Sequence, residues 1–292
     1  MNSRPAPAAP ADAPFPALPP RAFVTGATGG IGAAIADRLL AEGYEVWATA
    51  RDAARLTPRP RLHPVTLDLA DGAAAERAFL AAQNEAGGAF DLLVNNAGYG
   101  VFGPVESQPF VTWAAQLDAL LTQTLRLALL ALPAMRARRR GAIVNVSSLA
   151  VEFPIPGMSG YNAAKAGLSA WTASLAYELA GSGVIALDLR PGDIRTPFNT
   201  AVVQAPAAAP AASAAPPDAS RWAAVWRRFE ALHASAPGPE LVAEDLVRAL
   251  RRGRSGVVHS GSFFQARLAP LLTRLGTERF KHATQARYFD LR

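Results

Sequence analysis

Tyr161 and Lys165 sit four residues apart in the stretch S-G-Y-N-A-A-K-A-G. The lysine is one of two in the chain, the other being Lys281, whereas arginine supplies 27 of the 29 basic side chains. The two cations differ in ways chemistry can use. Lysine is a compact, flexible point charge, and arginine is a broad planar fork that never gives up its proton. On a helix, residues four apart are neighbours on one face. An ammonium beside a phenol favours the phenolate and lowers the tyrosine pKa. Such a pair is a general acid/base for moving a proton to or from an alcohol oxygen. By itself the pair also fits a surface tyrosine beside a solvated lysine, so other motifs must decide.

The glycine-rich turn T-G-A-T-G-G-I-G, residues 25–32, follows the apolar run A-F-V-T (22–25). Glycines let a backbone approach a pyrophosphate, and the helix N-terminus that follows favours its negative charge. The register is open. Gly26, Gly30 and Gly32, with Ile31 between the last two, fit T-G-x-x-x-G-x-G. Gly26, Gly29 and Gly32 fit the T-G-x-x-G-x-x-G common in sugar-nucleotide epimerases. The next apolar run, E-V-W-A-T-A (45–50), leads into Arg51. An acidic group at this point would bind the ribose 2′-hydroxyl of NAD. A cation suits a 2′-phosphate, so NADP(H) is expected over NAD(H).

Strands and helices must alternate to bring these groups together. The apolar runs predict strands at 22–25, 45–50, 62–69, 91–96, 141–148 and 183–189, with a weak seventh at 255–259. Helical patterns lie between them: one ending at Gly43, then 72–86, a long one at 107–139, and 159–180 carrying Tyr161 and Lys165. A further helix is expected at 220–235. Continuous apolar strands alternating with amphipathic helices imply an α/β fold, a doubly wound parallel sheet of about seven strands with helices on both faces. Ligands in such folds bind beyond the carboxyl ends of the strands. Residues 21–292 are expected to form a single Rossmann-type domain. The proline-rich residues 1–20 read as a disordered tail. An Ala/Pro-rich insert at 202–220 reads either as a flap or as a neutral loop expansion.

Composition excludes several chemistries. With no cysteine among 292 residues, disulfides, thiol catalysis and iron–sulfur clusters are ruled out. The four histidines are too scattered to suggest a metal site. Net charge is +6. Its densest runs, Arg136 to Arg140 and Arg251 to Arg254, fall at expected helix ends, where the helix dipole favours cations, and no nucleic-acid motif accompanies them. The most apolar stretch, Leu117 to Met135, carries Asp118, Gln123 and Arg126, which suits a buried or interface helix better than a membrane span. The N-terminus has no apolar core of a signal peptide, so a cytoplasmic location is expected.

Four ordered motifs, N-N-A-G (95–98), S-S (147–148), Y-N-A-A-K (161–165) and P-G-D-I-R-T (191–196), resemble the short-chain dehydrogenases/reductases over about residues 21–200. The segment N-N-A-G-Y-G-V-F-G-P-V-E looks like the classical, NADP-preferring branch that includes 17β-hydroxysteroid and retinol dehydrogenase-like enzymes. The resemblance implies hydride transfer between a nicotinamide and a carbonyl or alcohol. Tyr161 matches the catalytic acid/base, and Lys165 the residue that holds the nicotinamide ribose. Ser148 matches the serine that hydrogen-bonds the substrate oxygen, with Ser147 as the alternative. Gly26, Gly30 and Gly32 match the pyrophosphate turn, and Asp68 the adenine contact, with a helix cap as its plainer role. Asn95, Ala97 and Gly98 match the adenosine segment. Pro191, Gly192, Ile194 and Thr196 match the loop around the carboxamide.

The chain departs from the family at Leu120, where the long helix should carry an asparagine thought to hold a water linking the lysine to solvent. Leucine has no group that can do so; Gln123 and Thr124 lie about one turn away. Val151 replaces a usual glycine. Phe102, Phe153, Ile155, Met158 and Phe198 are candidates for an apolar substrate pocket. The resemblance therefore implies an NADP(H)-dependent oxidoreductase acting on a hydrophobic ketone or secondary alcohol, as a homodimer or homotetramer. A cofactor-binding regulator with weak turnover is the alternative that Leu120 favours.

Overall fold

The computed structural model describes residues 20–198, 202–204, 219–271, 276–289 and 291. The expected tail, but for Pro20, and most of the 202–220 insert lie outside them.

Seven strands form one sheet, every pair of neighbours parallel. They are β1 (Arg21–Val24), β2 (Glu45–Ala50), β3 (Leu62–Thr66), β4 (Leu92–Asn95), β6 (Gly141–Val146), β7 (Val184–Pro191) and β9 (Gly256–Ser260). The spatial order is β3-β2-β1-β4-β6-β7-β9. Strand order therefore reverses between β1 and β4, which opens a crevice beyond their carboxyl ends. A two-residue ladder, β5 (Val101–Phe102) with β8 (Val203–Gln204), stands apart from the main sheet. The third strand is shorter than expected, and Pro64 lies within it rather than at its start. Its place at the sheet edge leaves a missing N–H tolerable.

Each strand's apolar residues divide between two cores. On one face Ile35 and Leu39 of α1 (Gly30–Ala41) pack with Val242, Leu246 and Val247 of α7 (Glu240–Arg252). On the other, Phe79 of α2 (Gly72–Glu85), Leu127 and Met135 of α4 (Gln123–Ala137) and Leu175 of α5 (Ser159–Glu178) pack around Phe23 and Ile143. Phe23, Phe79 and Phe90 meet with ring centroids 5.0–5.6 Å apart. A third cluster lies at the carboxyl end of the sheet. It joins Leu120, Tyr161 and Met158 to Phe229 of α6 (Ala219–Ala234) and to Phe289, just after α8 (Glu278–Tyr288).

The expected long helix is continuous from Phe110 to Ala137, but it is not uniformly α. Helix α3 (Phe110–Leu117) passes through a π-turn at Asp118–Thr122 before α4 begins. A π-turn accommodates one extra residue and is frequent at functional sites. By length and composition alone this helix could cross a membrane. Here it packs against α5, and Arg126 pairs with Glu76 of α2 at 3.4 Å.

Candidate active site

The carboxyl ends of the strands and the C-terminal helices enclose a cleft of about 840 Å³. Its floor at one end is the turn between β1 and α1. Gly26 has φ +69°, and a Cβ there would come within 2.8 Å of the Ala97 Cα. A Cβ on Gly32 would run into the Gly26 carbonyl oxygen. No side chain caps the first turn of α1, whose initial N–H groups lack helical partners. Gly30 and Ile31 line the cleft there. A backbone without side chains at an uncapped helix N-terminus suits a phosphate group. The residues present therefore fit a dinucleotide pyrophosphate.

The turn is tied to β4 by Thr25 and Asn96. Thr25 Oγ1 accepts from the backbone N–H groups of Asn96 and Ala97, both at 2.9 Å. The Asn96 amide donates to the carbonyls of Thr25 and Gly26 at 2.9 and 3.1 Å. Asn96, Ala97 and Gly98 line the cleft, but Asn95 does not. The Asn95 side chain points into the fold, donating to Asn145 Oδ1 at 2.9 Å. Asn95, expected among the cofactor-binding residues, is thus turned away from the cleft, and Asn96 lines it instead. Both side chains belong to one motif, and alternation along the chain sends them to opposite sides.

At the end of β2, Arg51 lines the cleft as expected, and Arg55, which sequence reasoning missed, joins it from a 3-10 turn at Ala53–Arg55. Among the described residues neither pairs with an acid. Asp68 lines the cleft and accepts from the Ala70 N–H. Asp71, not Asp68, caps α2 through the Ala74 N–H at 2.9 Å.

Tyr161, Lys165 and Ser148 all line the cleft and meet there. Tyr161 and Lys165 lie one turn apart on α5 and are 8% and 4% exposed. Ser148 follows β6, and its Oγ accepts from the Ala150 N–H at 3.0 Å. Ser147 also borders the cleft, but its hydroxyl donates inward to the Asp188 carboxylate. Ser148 is therefore the serine that meets the phenol. Burial pushes the Tyr161 phenol above its ordinary value, and hydrogen bonding with Ser148 pulls the other way. The sequence expectation was a phenol lowered by the neighbouring ammonium; burial dominates instead. Burial also pulls the Lys165 ammonium down to about 8, while the Asp188 charge opposes the fall. The ammonium donates to the Val146 carbonyl at 2.7 Å.

Leu120 lies in the π-turn and is 1% exposed. A Cβ placed on Gly98 would meet Leu120 Cδ2 at 3.2 Å and Lys165 Nζ at 3.7 Å. The leucine thus fills space beside the ammonium. Both nearby polar side chains donate to other groups. Gln123 donates to Asp118 at 2.9 Å, and Thr124 donates to the Ala119 carbonyl at 3.4 Å.

Pro191, Gly192, Ile194 and Thr196 line the cleft after β7, and Gly192 donates its N–H to the Ser260 carbonyl at 2.7 Å. Of the expected apolar pocket, Phe153, Ile155 and Phe198 line the cleft. Phe102 and Met158 do not: they are buried beneath it, Phe102 against Trp226 with centroids 4.9 Å apart. Sequence reasoning also missed the C-terminal wall. Tyr288 donates to Asp193 Oδ2 at 2.6 Å, and Gln265 donates to the same oxygen at 2.5 Å. The Gln285 amide holds α8 to the Pro154 carbonyl at 2.7 Å. Asp193 belongs to the P-G-D-I-R-T motif, but no motif marks Gln265, Gln285 or Tyr288; the fold alone brings them to the cleft.

A short chain dehydrogenase family model matches residues 20–207. Oxidoreductase BOA17 of Botryotinia fuckeliana is 35% identical over 190 residues, covering 63% of this chain and 69% of its own. A short-chain dehydrogenase of Burkholderia cenocepacia, solved in complex with NADP, superposes with a TM-score of 0.68 at 25% identity, over 93% of this chain and 98% of its own. A short-chain dehydrogenase/reductase of Burkholderia phymatum, solved with NAD, superposes with a TM-score of 0.75 at 24% identity, over 92% and 96%. The last likeness bears on the fold alone.

Proposed function

The chain belongs to the short-chain dehydrogenase/reductase family of oxidoreductases, and we propose that it interconverts a hydrophobic ketone and its secondary alcohol with NADP(H). The observation that carries this reading is the meeting of Ser148, Tyr161 and Lys165 in one cleft with an open glycine turn. A bound nicotinamide would supply or accept the hydride. The turn at Gly26, Gly30 and Gly32 would hold its pyrophosphate, Asn96 to Gly98 and Asp68 the adenosine, Lys165 the ribose, and Ile194 and Thr196 the carboxamide side.

The chain's own groups handle the proton. Tyr161 gives its phenolic proton to the substrate oxygen on reduction and takes it back on oxidation. Ser148 donates a hydrogen bond to that oxygen, where negative charge builds up. Phe153, Ile155 and Phe198 exclude water and favour an apolar substrate. Related structures hold NADP in one case and NAD in another. The choice of NADP(H) here is supported by Arg51 and Arg55, two guanidinium groups without acidic partners among the described residues, which line the cleft just after β2. Exposed Phe110, Val111, Leu129 and Tyr177 on α3, α4 and α5 support self-association through these helices.

Leu120 favours one other reading, a dinucleotide-binding regulator with slow turnover. One experiment separates the two. A panel of apolar ketones and alcohols is assayed with each reduced and oxidised nicotinamide, following absorbance of the reduced form. Turnover of an apolar ketone with NADPH supports the enzyme. Tight NADPH binding with no turnover across the panel supports the regulator.

A further inference from the structure

Asp188 is a carboxylate in the core, 2% exposed, with no part in the chemistry above. It lies in β7, in register with Asn145 of β6. A buried charge is costly unless hydrogen bonds and an opposite charge satisfy it. Its Oδ1 accepts from the Ser147 hydroxyl. Its Oδ2 accepts from the Ser169 hydroxyl at 2.7 Å and from Arg190 Nε at 2.8 Å. Arg190 carries the network outward, donating to Ser169 Oγ at 2.7 Å and to Glu152 Oε1 at 2.5 Å. His259 Nε2 lies 2.7 Å from the same Glu152 oxygen.

The two serines give the network its meaning. Ser147 stands between Val146, whose carbonyl accepts the Lys165 ammonium, and Ser148. Ser169 lies on α5 one turn beyond Lys165 and two beyond Tyr161. One carboxylate therefore binds a hydroxyl from each of the two elements that meet at the site. We propose that Asp188 is a positioning residue: it locks the end of β6 that presents Ser148 against the turns of α5 that present Tyr161 and Lys165, and its charge supports the Lys165 ammonium. The consequence for turnover rests on the oxidoreductase reading, but the geometry and the effect on Lys165 do not.

Charged and titratable groups reach this region from several elements: Asp188 and Arg190 from β7, Glu152 from the turn after β6, His259 from β9 and Tyr161 from α5 itself. Of these groups, the Asp188 charge favours the protonated lysine, against the burial that brings Lys165 to about 8.

The scarcity of lysine allows a direct test. In a Lys281→Arg background Lys165 is the sole lysine, so a 13C label at the lysine ε-carbon gives one signal whose shift follows its titration. Adding Asp188→Asn should lower the midpoint by about one unit or more. An unmoved midpoint in a folded variant overturns the proposal. Ser169→Ala guards against a variant that fails to fold, because Asp188 then keeps Ser147 and Arg190. It should lower kcat several-fold (roughly 3- to 10-fold) with the KM for NADPH unmoved, and an unchanged kcat also overturns the proposal. The titration needs no turnover. A native protein that reduces no ketone therefore counts against the oxidoreductase reading and leaves the Asp188 result to be judged by itself.

Discussion

The Lys165 ammonium stands 5.7 Å from the centroid of the Tyr161 ring. It does so while donating to the Val146 carbonyl, so the backbone fixes its position over the ring. Both side chains are buried. Burial raises the phenol and lowers the ammonium, so each is pushed towards its neutral form.

Tyr161→Phe removes the phenolic hydroxyl, the proposed proton donor, while keeping the ring that packs against Phe198, with centroids 5.7 Å apart. Turnover should fall by about 10²- to 10⁴-fold. NADPH affinity, read by quenching of intrinsic fluorescence, should stay within about threefold, since the pyrophosphate turn is untouched. Near-normal turnover would remove Tyr161 from the proton step.

Lys165→Met tests the burial of the ammonium without any assay of activity. The lysine falls from 10.5 to about 8 in the folded chain. Between those values the unfolded chain binds more protons than the folded one, so stability from this group rises as pH climbs from 8 to 10.5. Below pH 8 the buried charge costs on the order of 3 kcal/mol. The variant should therefore melt above the native protein at pH 7, and the gap should narrow towards pH 10. A gap that is constant with pH contradicts the shifted lysine.

Arg51→Asp should move cofactor preference towards NADH by at least about tenfold in kcat/KM, by repelling a 2′-phosphate and binding a 2′-hydroxyl. Arg51→Asp with Arg55→Ala should move it further, because both guanidinium groups border the cleft. Unchanged selectivity in the double variant would take both residues out of phosphate recognition.

Leu120→Asn exchanges a fully buried apolar side chain for an amide. It should lower stability by about 2 kcal/mol, seen as a lower Tm. The same amide would stand beside Lys165, whose neighbourhood at Gly98 it shares. An increase in kcat despite the lower Tm is expected where proton supply limits turnover. A kcat with no gain would mean that another group or water path already serves Lys165.

Tyr288→Phe removes a 2.6 Å hydrogen bond to the Asp193 carboxylate. Burial, with the Asp193 charge and hydrogen bond, holds this phenol far above its ordinary value, so it stays a donor across the working pH range. A hydrogen bond to a charged acceptor is worth about 1.5–3 kcal/mol. Loosening the C-terminal wall should raise the KM for a bulky apolar ketone about three- to tenfold, with kcat within about twofold. An unmoved KM would mean that Gln265 alone secures Asp193.

Much of this architecture is legible in the residues. Alternating apolar runs place all seven strands, because strands buried on both faces leave a continuous apolar signal. The glycine turn, Ser148, Tyr161 and Lys165 converge as their positions after strands imply. Other features depend on what lies across from a residue. Asn95 and Asn96 read alike in the chain, and only packing sends one into the sheet and the other to the turn. Phe102 and Met158 are apolar residues near the cleft, yet Trp222, Trp226 and α6 cover Phe102 and place it in the core. Arg55 reaches the cleft by the curl of a 3-10 turn, and Tyr288 by a helix almost a hundred residues from its partner. The downward pull on Lys165 and the upward push on Tyr161 both come from burial, which no pairwise spacing reveals.

The π-turn at Asp118–Thr122 sets the phase of the long helix on either side of it. A regular α-helix advances about 100° per residue. Winding this turn into regular α-helix with every residue kept would rotate Trp113 and Gln116 by about that angle relative to Leu127 and Met135. The two halves of the helix serve different neighbours: Trp113 and Gln116 abut Gly160, one residue before Tyr161, while Leu127 and Met135 fill the sheet core. One wide turn thus lets a single rod satisfy two azimuths that a regular helix of the same sequence could not, and losing the turn would force a choice between a filled interior and a snug fit beside the phenol.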